Sequence, residues 1–114
     1  MDWTKPTTQL LGRFQPWHEG HTELFKRALS KTGQVVILMR EGDGTDNNPF
    51  TKKERTIRIK EALSVYEGLF EIVPVPNIVH VTYGRDVGYK IEEEHLDERI
   101  EAISATKIRM GQDS

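Results

Sequence analysis

A chain of 114 residues with 36% hydrophobic content is expected to form a single domain, 1–114, with a thin core that favours packing against a second copy as a homodimer. The absence of cysteine excludes disulfides, thiolate metal sites and cysteine nucleophiles, and a net charge of −2 leaves no basic face for general nucleic-acid binding. No apolar run reaches membrane-spanning length and the N-terminus lacks the apolar stretch of a signal peptide, so a cytoplasmic location without membrane contact is expected.

In chain order, residues 8–11 read as a short strand ending at Gly12. From Gly20 onward Leu24, Phe25, Ala28 and Leu29 follow helical spacing with His21 on the same stripe, and Gly33 stops that helix. Residues 35–39 are a continuous apolar run, expected as a strand covered on both faces. Residues 41–49, rich in Gly, Asp and Asn, are a loop. Thr51 and Glu54 form a capping box opening a second helix with Ile59, Ala62, Leu63 and Tyr66 on one face. Residues 70–75 are a third strand, placed at a sheet edge by Pro74 and Pro76. Residues 78–83 and 89–93 read as further strands, and Ser104 caps a last helix reaching about Met110.

The alternation predicts an α/β, Rossmann-like three-layer fold with a mostly parallel sheet, abbreviated in its C-terminal half. Pro76-Asn77 is too short for a parallel crossover. Residues 79–83 and 87–91 then form a hairpin about Gly84-Arg85-Asp86, or another subunit completes part of the sheet. The basic residues Lys52, Lys53, Arg55, Arg58 and Lys60, and the acidic ones Glu92, Glu93, Glu94, Asp97 and Glu98, read as solvated faces.

The densest chemistry lies in Gly12-Arg13-Phe14-Gln15-Pro16-Trp17-His18-Glu19-Gly20-His21, where a strand turns into a helix. His18 and His21 are three apart with no third ligand in evidence, which is the wrong spacing for a helical zinc pair, so no metal site is assigned. They are then core or capping histidines, or phosphate ligands beside Gly20 and Arg13. Near the other end, Ser104, Thr106, Lys107 and Arg109 put two hydroxyls and two cations on the first turns of a helix, which suits a second anion site or a simple N-cap.

Together these segments resemble the cytidylyltransferase-like nucleotidyltransferases, whose signature is GRFQPxHxGH. Asn48-Pro49-Phe50-Thr51-Lys52-Lys53-Glu54-Arg55 is similar to the NPFTxxER loop of their archaeal-type nicotinamide-nucleotide adenylyltransferase branch, and residues 103–109 to its closing ISxTxIR motif. The resemblance implies that an acceptor phosphate attacks the α-phosphorus of a nucleoside triphosphate and pyrophosphate leaves, with Mg2+ carried on the nucleotide phosphates. His18, His21 and Arg109 would be the catalytic residues. Gly12, Arg13, Phe14, Gln15, Gly20, Ser104, Thr106 and Lys107 would bind the nucleotide and its phosphates, and Tyr83, Arg85, Asp86 and Lys53 the acceptor. The partners implied are ATP or CTP and a phosphorylated small molecule such as nicotinamide mononucleotide. The alternatives are a CTP-dependent cytidylyltransferase of a small alcohol phosphate and a nucleotide-binding module without turnover. Where the adenylyltransferase branch carries a basic residue before the NPF loop, this chain has Asn47.

Overall fold

The computed structural model of the protein describes residues 1–41, 49–85, 88 and 90–94. Along these the chain runs β1 (Thr8–Gly12), α1 (Glu19–Thr32), β2 (Val35–Arg40), α2 (Lys52–Ala62), a 3-10 turn (Ser64–Tyr66) and β3 (Phe70–Val75). The strands make one parallel sheet in the order β1-β2-β3, with Leu10 beside Ile37 and Ile37 beside Ile72. Each parallel step is bridged by a helix, as its length requires, and the fold is α/β and Rossmann-like. β3 lies at an edge, where Pro74 has no ladder bond to lose.

Side chains on a strand alternate between faces, and the two faces of this sheet differ. Leu10, Val35, Ile37 and Met39 point to one side and pack with Phe25 and Ala28 of α1 and with Ile59 and Leu63 of the α2 end. Both helices therefore cover the same face. On the other face Leu11, Val36 and Leu38 are only half-buried, so among the described residues β2 is not covered equally on both sides as its apolar run suggests. The helix expected from Ser104 onward lies outside the described residues.

Three further expectations are corrected. The second helix ends at Ala62, which is exposed, and Tyr66 sits in the 3-10 turn after it, its ring 5.3 Å from that of Phe25. Residues 78–83 form no strand, and neither do 90–93 of the segment expected at 89–93. Past Val75 the chain leaves the sheet, and the Ile78 N–H turns back to the Pro76 carbonyl at 2.7 Å. Val79, Val81 and Ile91 are left largely exposed, with no sheet face to reward pairing in a lone hairpin.

The third correction concerns Arg55, which is not solvated but only 1% exposed. On α2 it stands one turn before Ile59 and two before Leu63, so it shares their inward stripe. Its Nη1 donates to the carbonyls of Arg13 at 2.9 Å and Arg40 at 2.8 Å, and its Nε to that of Thr51 at 3.4 Å. The chain just past β1, the end of β2 and the cap of α2 are thereby joined through one planar group. Arg55→Met keeps the length but strips the donors, leaving buried carbonyls unsatisfied. It is expected to lower unfolding free energy by about 2–4 kcal/mol in urea titrations. A change within roughly 0.5 kcal/mol, the range of surface substitutions, would contradict this role.

Candidate active site

The C-terminal ends of parallel strands are where an open α/β sheet presents its loops to ligands. After β1 the chain passes Arg13 and Phe14, the latter at φ 54, a left-handed conformation rarely taken by a non-glycine residue. Phe14 is buried against Gly12, where an added Cβ would meet its ring at 2.8 Å. Gly12 thus makes room for Phe14, and Phe14 in turn supports the His21 ring. Gln15 is fully buried, and its side-chain amide pairs with the backbone of Phe50 in both directions: the Phe50 N–H donates to Oε1 at 2.8 Å and Nε2 donates to the Phe50 carbonyl at 2.9 Å. Thr51 next caps α2, accepting from the Glu54 N–H, while the Glu54 carboxylate accepts from the Thr51 N–H. The second motif is therefore fastened to the first by Gln15 and Arg55.

At the start of α1, His18 is the N-cap and its Nδ1 accepts from the Gly20 N–H at 3.0 Å. His21 Nδ1 accepts in turn from the His18 N–H at 3.1 Å. An imidazole nitrogen that accepts carries no proton, so in each neutral ring the proton resides on Nε2. The rings stack with centroids 3.9 Å apart. Phe14 meets His21 edge-on at 5.1 Å and Trp17 lies 5.3 Å away, its indole N–H held by the Thr22 hydroxyl. Two hydrogen-bond donors, the Nε2–H groups, are thus prepared beside a positive helix end.

This enclosure also sets the charge. Burial, with a contribution from His18, pushes the His21 imidazole down to about 3. His18 is lowered as well, first by burial and then by the positive charge of Arg58, with Glu19 opposing. Both rings are neutral near pH 7 and act as dipolar donors. Positive charge at the turn comes from arginine. Arg13 is exposed, and Arg58 on α2 is held by its Nε–H, which donates to the Trp17 carbonyl at 2.8 Å.

Of the remaining candidate residues, Gly20 is buried with its N–H already used by His18. Lys53, Tyr83 and Arg85 are exposed, and among the described residues no hydrogen bond or ring contact joins them to the histidines. Asp86, Ser104, Thr106, Lys107 and Arg109 lie outside the described residues. No group of three or more His, Asp or Glu suited to a metal ion occurs among the described residues, nor a helix long and apolar enough to cross a membrane. Sequence reasoning assigned no role to Arg55 or Arg58. The available signal was the four-residue spacing from Arg55 to Ile59; nothing comparable marks Arg58.

A parallel sheet with a donor-lined turn after its first strand defines a nucleotide-binding α/β domain. Residues 10–75 match the family model described as cytidylyltransferase-like, and the chain belongs to that family. Among similar proteins is the nicotinamide-nucleotide adenylyltransferase 1 of Sulfolobus acidocaldarius, 26% identical over 86% of this chain and 73% of that protein. The nicotinamide-nucleotide adenylyltransferase of Sulfurisphaera tokodaii is 29% identical over 86% and 74%. That of Ignicoccus hospitalis is 38% identical over 60% of this chain and 43% of its own length. The Sulfolobus alignment takes 128 positions, more than this chain's 114 residues, so the relative carries residues that this chain lacks within the matched span.

The depressed His21 value makes stability pH-dependent. An unfolded histidine takes up its proton near pH 6.5, the folded one only near 3. Between these values the unfolded chain binds more protons. The contribution of neutral His21 is therefore complete above about 6.5 and is lost as pH falls toward about 3. His21→Gln, which cannot titrate, is expected to flatten this part of the stability–pH curve in urea denaturation from pH 7 to 4. An unchanged slope would contradict the assignment.

Proposed function

We propose that the protein is a nucleotidyltransferase that moves the adenylyl group of ATP onto the phosphate of nicotinamide mononucleotide or a similar mononucleotide, with release of pyrophosphate. The observation that carries this reading is the stacked His18–His21 pair, each Nδ1 occupied by a backbone N–H, inside a cytidylyltransferase-like stretch. The relatives named above favour adenylyl over cytidylyl transfer.

An acceptor phosphate oxygen attacks the α-phosphorus as the bond from that phosphorus to the bridging oxygen breaks. The electron pair of that bond leaves on pyrophosphate. Negative charge grows toward the leaving group, and the two Nε2–H donors meet it without having to reorganise. Neutral donors are sufficient, because no proton need pass to an alkoxide. Arg13 would hold the triphosphate from the β1 side, with Ser104, Thr106, Lys107 and Arg109 as its further ligands. Tyr83, Arg85, Asp86 and Lys53 are proposed for the acceptor. Mg2+ is read as the counter-ion of the nucleotide phosphates, which would supply most of its oxygens.

Pyrophosphate release is expected with ATP and nicotinamide mononucleotide together and with neither alone. His18→Ala and His21→Ala are each expected to reduce turnover by ~10²–10³. Release that requires CTP and a small alcohol phosphate would replace the adenylyl reading. Nucleotide binding with no turnover on any acceptor would replace catalysis altogether. A cytoplasmic homodimer completes the proposal, supported by the cysteine-free composition and by the exposed Val79, Val81 and Ile91. Light scattering of the active protein should give twice the chain mass, and a stable, active monomer would remove that part.

A further inference from the structure

We propose that Arg58 is a phosphate-binding residue of this site, its terminal guanidinium nitrogens gripping the pyrophosphate portion of the nucleotide. This rests on the reading that nucleotide phosphates occupy the turn at His18, and it deepens that reading by naming the cation.

A polyphosphate brings several negative charges, and the histidines of this site meet it uncharged. Their hydrogen bonds supply direction but no net charge, so cations must come from neighbouring elements. Arg55 is buried, with donors committed to the Arg13, Arg40 and Thr51 carbonyls. Arg40 directs Nη1 to the Ile78 carbonyl. Arg58 differs from both. Among the described residues only its Nε is used, on the carbonyl of Trp17, the residue immediately before the α1 cap. Its side chain is exposed, and among the described residues its Nη groups have no other partner.

A guanidinium offers five N–H donors in a planar fork. Fixing the Nε edge orients the rest before any ligand arrives, which reduces the entropy lost on binding. The same placement brings its charge near His18, where it opposes protonation of that ring after burial has already done so. A cation that repels a proton at His18 attracts an anion at the same place.

A merely structural role is the rival: a clamp on the Trp17 carbonyl that keeps the turn in shape. Arg58→Gln retains a neutral N–H donor but loses the charge, whereas Arg58→Lys retains the charge and loses the fork. Calorimetric titration with inorganic pyrophosphate, together with the thermal midpoint, separates the two roles. Arg58→Gln is expected to weaken pyrophosphate binding by roughly tenfold or more, the scale of one charge-assisted contact, with its midpoint near that of the parent. Arg58→Lys should keep a measurable part of the affinity, and raised salt should narrow the gap between parent and Arg58→Gln. Undiminished binding by Arg58→Gln overturns the proposal, as does a parent protein that binds no pyrophosphate. Affinity lost by Arg58→Lys and Arg58→Gln in equal measure, with a matching drop in midpoint, also overturns it, because a clamp behaves that way. The assay uses neither base nor acceptor. Failure of adenylyl transfer therefore leaves this test readable, and failure of this test leaves the transfer reaction standing.

Discussion

The frame around the histidine turn depends on a single buried cation that reaches three backbone carbonyl oxygens. Arg55 reaches from α2 to the Arg13 and Arg40 carbonyls while staying bonded to its own cap residue, Thr51. Burying a guanidinium is costly unless its donors are satisfied. Once they are satisfied, any displacement of β1, β2 or α2 leaves a buried polar group unpaired. The packing of Ile59 and Leu63 beneath it supplies the apolar drive, and the hydrogen bonds select one arrangement. Gln15 repeats the device on a smaller scale by pairing with the Phe50 backbone as a neighbouring strand would.

The electrostatic division of the site is built on this frame. Phe14 and Trp17 enclose His21, and the stacked His18 closes one face of the ring. The same enclosure that orients the imidazoles removes their charge. Direction and charge thus reside on different residue types: the histidines carry neutral Nε2–H donors, and the positive charge beside them sits on Arg13 and Arg58. Phosphoryl and nucleotidyl transfer need mainly positioning and electrostatic stabilisation, and a rigid turn of neutral donors suits that demand without a nucleophile or a general base.

Much of this was legible in one dimension. The strand–helix–strand–helix–strand order, the stop at Gly33 and the Thr51–Glu54 capping box all rest on local rules, and each is present. The histidine motif was legible because its residue types and spacing suit few other uses. Less visible were the residues that hold the motif in place. Gln15 read as a ligand and Arg55 as surface charge, since polarity alone does not distinguish a solvated group from a buried one with partners. Residues 78–83 misled in the opposite direction. Their alternation favours a strand, yet a strand persists only where a neighbour accepts its ladder bonds, and past Pro76 the described chain has none.

The sequence by itself determined the parallel α/β order, the helix caps and the position of the histidine turn after the first strand, because periodicity, capping and short motifs act over a few residues. Only the tertiary structure decided that Arg55 is buried, that Gln15 locks one loop to the other, that His18 and His21 stack as neutral Nε2 donors, and that Arg58 stands beside them. Those facts depend on groups up to 42 positions apart in the chain meeting within hydrogen-bond distance. The burial that comes with such meetings sets both the charge and the direction of the groups involved.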